Sequence, residues 1–427
     1  MNILLLPDPS LVRGIFLLLP GGSLHSCRQV CKSWNNFIME NIWNSSFARK
    51  QLENQLEKNW KTNSFVETSE IIDVGVNTSR VIAASGDYIV IKSGAEEPKV
   101  IVINVITKDK WIFEDVGDVT AENSTTKAVV NNKIVALWSV PVYEDGTTLI
   151  VCSLKTKEVL FRENLSNYLN VVLVDSSSTM LVLLFQDKID VLSFNDEGSM
   201  LVSRTSCPVN HQDTTRFINY APPYILHCTW SALNVWKIDY ERKQVELHKH
   251  VPDFEIFFRK ANGEALHFHH NPPLNATYVA SHFIVVNATE IDYDDDMYWA
   301  YDEEDMPGYM CVLLILNEDG ERIREIQVNA FRFKDVDTKL HVLGNQLLVE
   351  ADEGCKMFKF YIPEVLNPDP NQAITCHELP ELQHLPELQQ EYFDDIYFFN
   401  KTSIASVKHY HGSNNIKVRS FNFWATN

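Results

Sequence analysis

Two textures of apolar spacing divide the chain. Over residues 6–43 apolar positions recur at helical spacing, whereas from about residue 66 they come in short runs broken by turn-forming residues. In the first stretch, Asp8 followed by Pro9 predicts a helix N-cap with proline at the first helical position. Leu11, Ile15 and Leu19 then fall four residues apart on one face, and Pro20-Gly21-Gly22 ends the helix. Ser23 stands where it would cap a second helix, whose Leu24, Cys27, Cys31 and Trp34 lie at spacings of three and four, widened by Val30 and Phe37. Short helices this rich in Leu, Ile, Phe and Trp, over a segment of roughly 40 residues, hold more apolar surface than a core of their own buries. The pattern predicts a partner.

Residues 44–64 have high helix propensity and charges suited to pairing four apart, which predicts a helical linker. Beyond it the chain reads as a meander of antiparallel strands. Val100 to Trp111 is a strand, a polar turn and a second strand, and Leu149 to Leu160 repeats that pattern. With Val105, Leu154, Phe194 and Ile238 as equivalent positions, the separations are 49, 40 and 44 residues. Periods of about 40–50 residues predict four-stranded propeller blades. The blades fall near 79–115, 127–163, 170–206, 216–249, 274–328, 338–380 and 394–424. The last shows three strands, while residues 67–74 hold a strand without a blade. Pairing that strand with residues 415–423 closes the ring and leaves no free sheet edge.

The N-terminal helices resemble the F-box, the module that docks substrate receptors onto the Skp adaptor of cullin-RING ubiquitin ligases. The resemblance lies in Leu6-Pro7, Ile15-Phe16, Leu19-Pro20, Leu24, the block Val30-Cys31-Lys32-Ser33-Trp34 and Trp43. It implies adaptor contacts by Leu6, Pro7, Ile15, Phe16, Leu19, Leu24, Val30, Cys31 and Trp34. The strand-rich part resembles a WD-repeat propeller in period and strand count, without the Gly-His and Trp-Asp signature dipeptides. The reading is a small all-α F-box module (1–45), a helical linker (46–65) and an all-β propeller (66–427). Seven blades fit the count, with six or eight blades or a pair of sandwiches left open.

Composition narrows the function. With 57 acidic against 37 basic residues the net charge is −20, which repels phosphate backbones and anionic lipid, so neither nucleic acid nor membrane is expected as a partner. The eight cysteines form no C-x-x-C pair, no signal peptide is legible, and no apolar run is long enough to span a bilayer. Those features predict a reducing compartment, cytoplasmic or nuclear. No nucleophile elbow, Walker loop, dinucleotide fingerprint or H-E-x-x-H occurs, so no catalytic residue, cofactor or metal is expected. His267 and His269 share a strand face beside His270, yet no carboxylate or thiol at ligand spacing completes a metal set.

Three irregular insertions, 251–273, 289–308 and 379–392, are expected on one face of the propeller, the face that binds substrates in the family it resembles. The middle one packs nine carboxylates and four aromatics into residues 290–305 without a Lys or Arg. Tyr293, Asp294, Asp295, Asp296, Tyr298, Trp299 and Tyr301 are the candidate target-binding residues, suited to a basic segment through charge and cation–π contact. The alternative for this loop is a solvated acidic run. The resemblance implies a non-catalytic receptor subunit that holds a protein target near a cullin and RING assembly. A propeller scaffold without a ubiquitination role and a propeller enzyme are the other readings.

Overall fold

The computed structural model describes residues 9 to 423 apart from 18, 20–26, 29, 43–53, 55, 76–77, 94–98, 121–123, 142–146, 166–167, 175–178, 186, 210–214, 230–231, 253–274, 290–308, 334–338, 352–355, 370, 379–395, 401–402 and 410–413. Seven four-stranded antiparallel sheets make a propeller. Blade one runs from the strand Thr78–Ser85 to Lys110–Phe113, blade two from Ser124–Val130 to Val159–Leu165, and blade three from Tyr168–Val174 to Leu201–Pro208. Blade four runs from Thr215–Ala221 to Gln244–Pro252, blade five from Asn275–Val279 to Arg322–Phe333, and blade six from Lys339–Leu343 to Cys376–Glu378. All seven lie where the period places them.

Burial follows from position in the blade. The third strand of blade one, Val100–Asn104, and the second of blade three, Met180–Phe185, are buried throughout, because each face meets a neighbouring blade. The fourth strand of blade three, Leu201–Pro208, by contrast has no buried residue. Between blades one and two, for example, Val90, Val100 and Val102 pack with Val135, Leu137 and Ile150.

A side-chain device sets the repeat. In blades one to five the turn between the third and fourth strands opens on a residue whose side-chain oxygen accepts backbone N–H groups two to four residues on: Asn104, Ser153, Asn195, Asp239 and Asn317. Asn104 Oδ1, for instance, accepts from Ile106 at 2.9 Å and Thr107 at 2.8 Å. Such turns satisfy the amides that a tight hairpin would leave bare.

Blade seven is closed by the start of the propeller. Its strands Ile396–Asn400, Ser403–His409 and Asn415–Asn422 are completed by Val66–Asp73, which pairs antiparallel from Val66 opposite Asn422 to Asp73 opposite Asn415. Arg419 clamps the pair, with Nε 2.6 Å from Glu67 Oε1 and Nη2 3.1 Å from Oε2. Ile72 and Val74 are buried between blades seven and one.

The described end of the expected helical linker packs on the propeller. Residues 56–61 are helical, and Trp60 is buried against Leu348 and Met357 of blade six and Ile404, Phe421 and Phe423 at blade seven. Trp60 and Phe423 stack with centroids 3.7 Å apart, and Asn59 Nδ2 donates to Phe423 O at 2.7 Å. Lys359 Nζ donates to Trp60 O and, at 2.9 Å, to Asn63 Oδ1, and it lies over the rings of Trp60 and Phe423.

Burial pushes the Lys359 amine down to about 7, and it outweighs the two acceptors and two ring faces that favour its charged form. An unfolded lysine holds its proton to about pH 10.4. Between the two values the unfolded chain therefore binds more protons and stability rises with pH. Cys152 and Cys376, pushed up to about 12 by burial, act in the opposite sense only where a free thiol ionises. Lys359 should thus add about 1 kcal/mol of stability from about pH 7 to about pH 8.5, read as the difference between the wild-type and Lys359→Met profiles, because Cys27 and Cys207, also raised by burial, oppose the rise in both. Denaturant melts across that window check it; an unchanged profile in the variant would remove Lys359 from the account.

Candidate functional site

The N-terminal module is built on a helix, α1 (Pro9–Leu17), a second, α2 (Lys32–Phe37), and a π-helical turn over Ile38–Ile42. Its core is Val12, Phe16, Ile38 and Ile42, with Leu19, Cys27, Trp34 and Phe37 against it. Phe16 meets Trp34 edge-on at 5.4 Å and Phe37 at 5.8 Å. The inward face of α1 is thus Val12 and Phe16, one helical step round from the expected Leu11–Ile15 stripe, which turns Ile15 outward. The second helix is not the continuous one expected. Residues 27, 28 and 30 are helical, then Cys31 is extended at φ −166° and ψ 164° and starts α2 as its N-cap residue.

The nine residues expected at the adaptor separate into classes. Ile15, Val30 and Cys31 are exposed, Ile15 by 51% and Val30 by 62%, which for large aliphatic side chains leaves apolar surface facing water. Phe16 is buried in the module core, and Leu19 and Trp34 are partly buried against it. Leu6, Pro7 and Leu24 lie outside the described residues, as do Tyr293, Asp294, Asp295, Asp296, Tyr298, Trp299 and Tyr301 and the histidines 267, 269 and 270. Leu17 and Met39 add exposed apolar surface that the sequence pattern left unassigned.

Polar contacts fix the module to blade one. Arg28 Nη2 lies 2.8 Å from Asp87 Oδ2 in the turn between the first two strands, while its Nε donates to Asn35 Oδ1 at 2.9 Å. Arg28 is buried, so this pair is shielded in a way that the second, Lys32 to Asp109 at 2.9 Å, is not. For Asp109, burial raises the carboxyl, and hydrogen bonds from Lys32 and Thr107 more than offset it, leaving it below the ordinary carboxylate range. Nothing in the local pattern around Arg28 marks it as a contact, since its partner is 59 residues away.

Strand direction orients the rest. The turns bearing Asp87 and Asp109 lie at one end of blade one, and Asn345, bonded to Glu57 at 3.0 Å, sits in the equivalent turn of blade six. Pro252, Thr289 and Glu378, where described strands stop before the insertions, lie at the opposite ends of their sheets. Among the described residues no group of three His, Cys, Asp or Glu is placed to hold a metal, and no helix is long and apolar enough to cross a membrane.

Residues 3–49 match the F-box-like family model. No curated protein matches the chain. Among solved structures, Hsv2 of Kluyveromyces lactis is 12% identical over 80% of this chain and 90% of its own, with a TM-score of 0.40. The CNH domain of AfRom2 is 10% identical over 84% and 100%, with a TM-score of 0.42. Hydrazine synthase of Kuenenia stuttgartiensis is 10% identical over 80% and 95%, with a TM-score of 0.44. Likeness at that level carries no functional argument. The chain holds an F-box-like domain at residues 3–49, followed by a seven-bladed propeller.

Proposed function

We propose that this protein is the substrate-recognition subunit of an SCF-type ubiquitin ligase. Its helical module docks a Skp-family adaptor, and through it cullin and RING subunits, while the propeller holds a protein target. The observation that carries the reading is the family match at residues 3–49, together with large apolar side chains left in water on a module whose core is already filled. Ile15, Leu17 and Val30 are the anchors, and Phe16 and Trp34 hold them in place. The chain does no bond chemistry in this role. It raises the effective concentration of the target near the ubiquitin carrier. The target is assigned to the end of the propeller away from Asp87 and Asp109, and the acids and aromatics of residues 293–301 suit a basic segment. Such a receptor works in the cytoplasm or nucleus.

The test is adaptor capture by the purified chain. Ile15→Asp with Val30→Asp should lower adaptor affinity at least 100-fold, since buried anchors commonly cost about 2 kcal/mol each, while propeller melting stays unchanged. Wild-type binding by that double variant would overturn the assignment.

A further inference from the structure

Seven seams join the blades, and one is built differently. Six are packed by the blades' own strands and the connections between them. Among the described residues, the seam between blades six and seven alone takes in chain from before the first strand: Leu56, Trp60 and Phe65 join Leu348, Met357, Ile404, Phe421 and Phe423. Trp60 touches both sides. Polar bonds then hold the insert on each blade. On blade six, Asn345 Nδ2 and the Tyr361 hydroxyl donate to Glu57, Lys61 pairs with Glu364 at 3.0 Å, and His377 Nε2 lies 3.1 Å from Lys61 O. On the blade-seven side, Asn59 bonds the carbonyl of Phe423. Lys359 reaches from blade six to the carbonyl of Trp60 in the last turn of the short helix.

We infer that residues 56–65 are a latch that locks blade six to blade seven, so that the ring opens at this seam when the latch lets go and stays shut elsewhere. A closed ring has no free strand edge, and its weakest joint is the one whose filling can leave without unravelling a blade. Withdrawing Trp60 would uncover Phe423 and Leu348 together and leave the Lys359 amine without its two acceptors. No other seam, among the described residues, depends on a segment that can detach in this way.

Hydrogen exchange on the full-length protein tests the latch, read by mass spectrometry without any adaptor, so its outcome is independent of the docking reading. Trp60→Ala should speed exchange at least tenfold in Gln346–Ala351 and Ser403–His409, while Ile134–Pro141 and Met180–Phe185, at the seam of blades two and three, keep wild-type rates. Lys359→Met keeps the apolar stem and removes the donor, which makes it the gentler variant should Trp60→Ala fail to fold. It should speed exchange in residues 56–65 and in the same two strands together. Faster exchange in 56–65 alone would make the segment a docked tail and overturn the latch. Equal acceleration in every blade, or none, would overturn it as well.

Discussion

Replacing Ile72 with aspartate should unfasten the propeller, whereas the same change at Ile71 should leave it standing. The two neighbours point to opposite faces of the closing strand: Ile72 is 5% exposed among Val81, Ile89, Ile416 and Val418, and Ile71 is 72% exposed. Burying an unpaired carboxylate there removes a large apolar contact and strands a charge, together costing about 4 kcal/mol or more. Chemical denaturation of the two variants checks the contrast, with Ile71→Asp expected within about 0.5 kcal/mol of wild type. Equal loss in both would mean that the strand pairs without a defined face.

Asp190→Ala should cost about 2 kcal/mol, the range for losing charge-assisted hydrogen bonds to a buried carboxylate whose cationic partners stay partly in water. The carboxylate is fully buried in the third strand of blade three. Oδ2 accepts from Lys188 at 3.0 Å and from Arg204 at 2.9 Å and 2.5 Å, and Oδ1 accepts from Ser206 at 2.6 Å. Arg204 reaches on to Glu163 of blade two at 2.6 Å, so the network ties two blades at their outer strands. Burial raises the Asp190 carboxyl, and its hydrogen bonds from Ser206, Arg204 and Lys188 more than reverse this, leaving it below the ordinary range. A depressed carboxyl stabilises above its unfolded value, and that contribution fades as the pH falls through the folded one. Asp190→Ala should therefore lose most stability at neutral pH and converge with wild type in acid. Asp190→Asn keeps the shape and one acceptor and should cost less. A loss under about 1 kcal/mol in Asp190→Ala would reduce the network to a solvated surface pair.

Legibility differed from part to part of the chain for identifiable reasons. The blades could be read because their inner strands are long runs of Val, Ile and Leu interrupted by turn residues, and Asn104, Ser153, Asn195, Asp239 and Asn317 reset the chain at corresponding points. The closing strand could be read because a three-stranded last blade and an unpaired early strand complete one another. The facing of α1 was out of reach. Apolar residues occupy 11, 12, 15, 16 and 17, so the period cannot choose between a stripe through Leu11 and Ile15 and one through Val12 and Phe16. Packing against Ile38 and Ile42 decides it.

The sequence by itself therefore determined the order of elements, a repeat of about 40–50 residues, the closing pair and the helical module, because each rests on local periodicity or on a strand left unpaired, while the blade count of seven came from the structure. Only the tertiary structure decided which module side chains face water, that Arg28 meets Asp87, and that Trp60 belongs to the propeller. Those depend on partners far along the chain: Lys359 lies 299 residues from Trp60, and Phe423 lies 364 residues from Asn59. A tryptophan inside a charged helical segment reads locally as part of a spacer. It becomes core only when two blades leave a seam of its shape beside it.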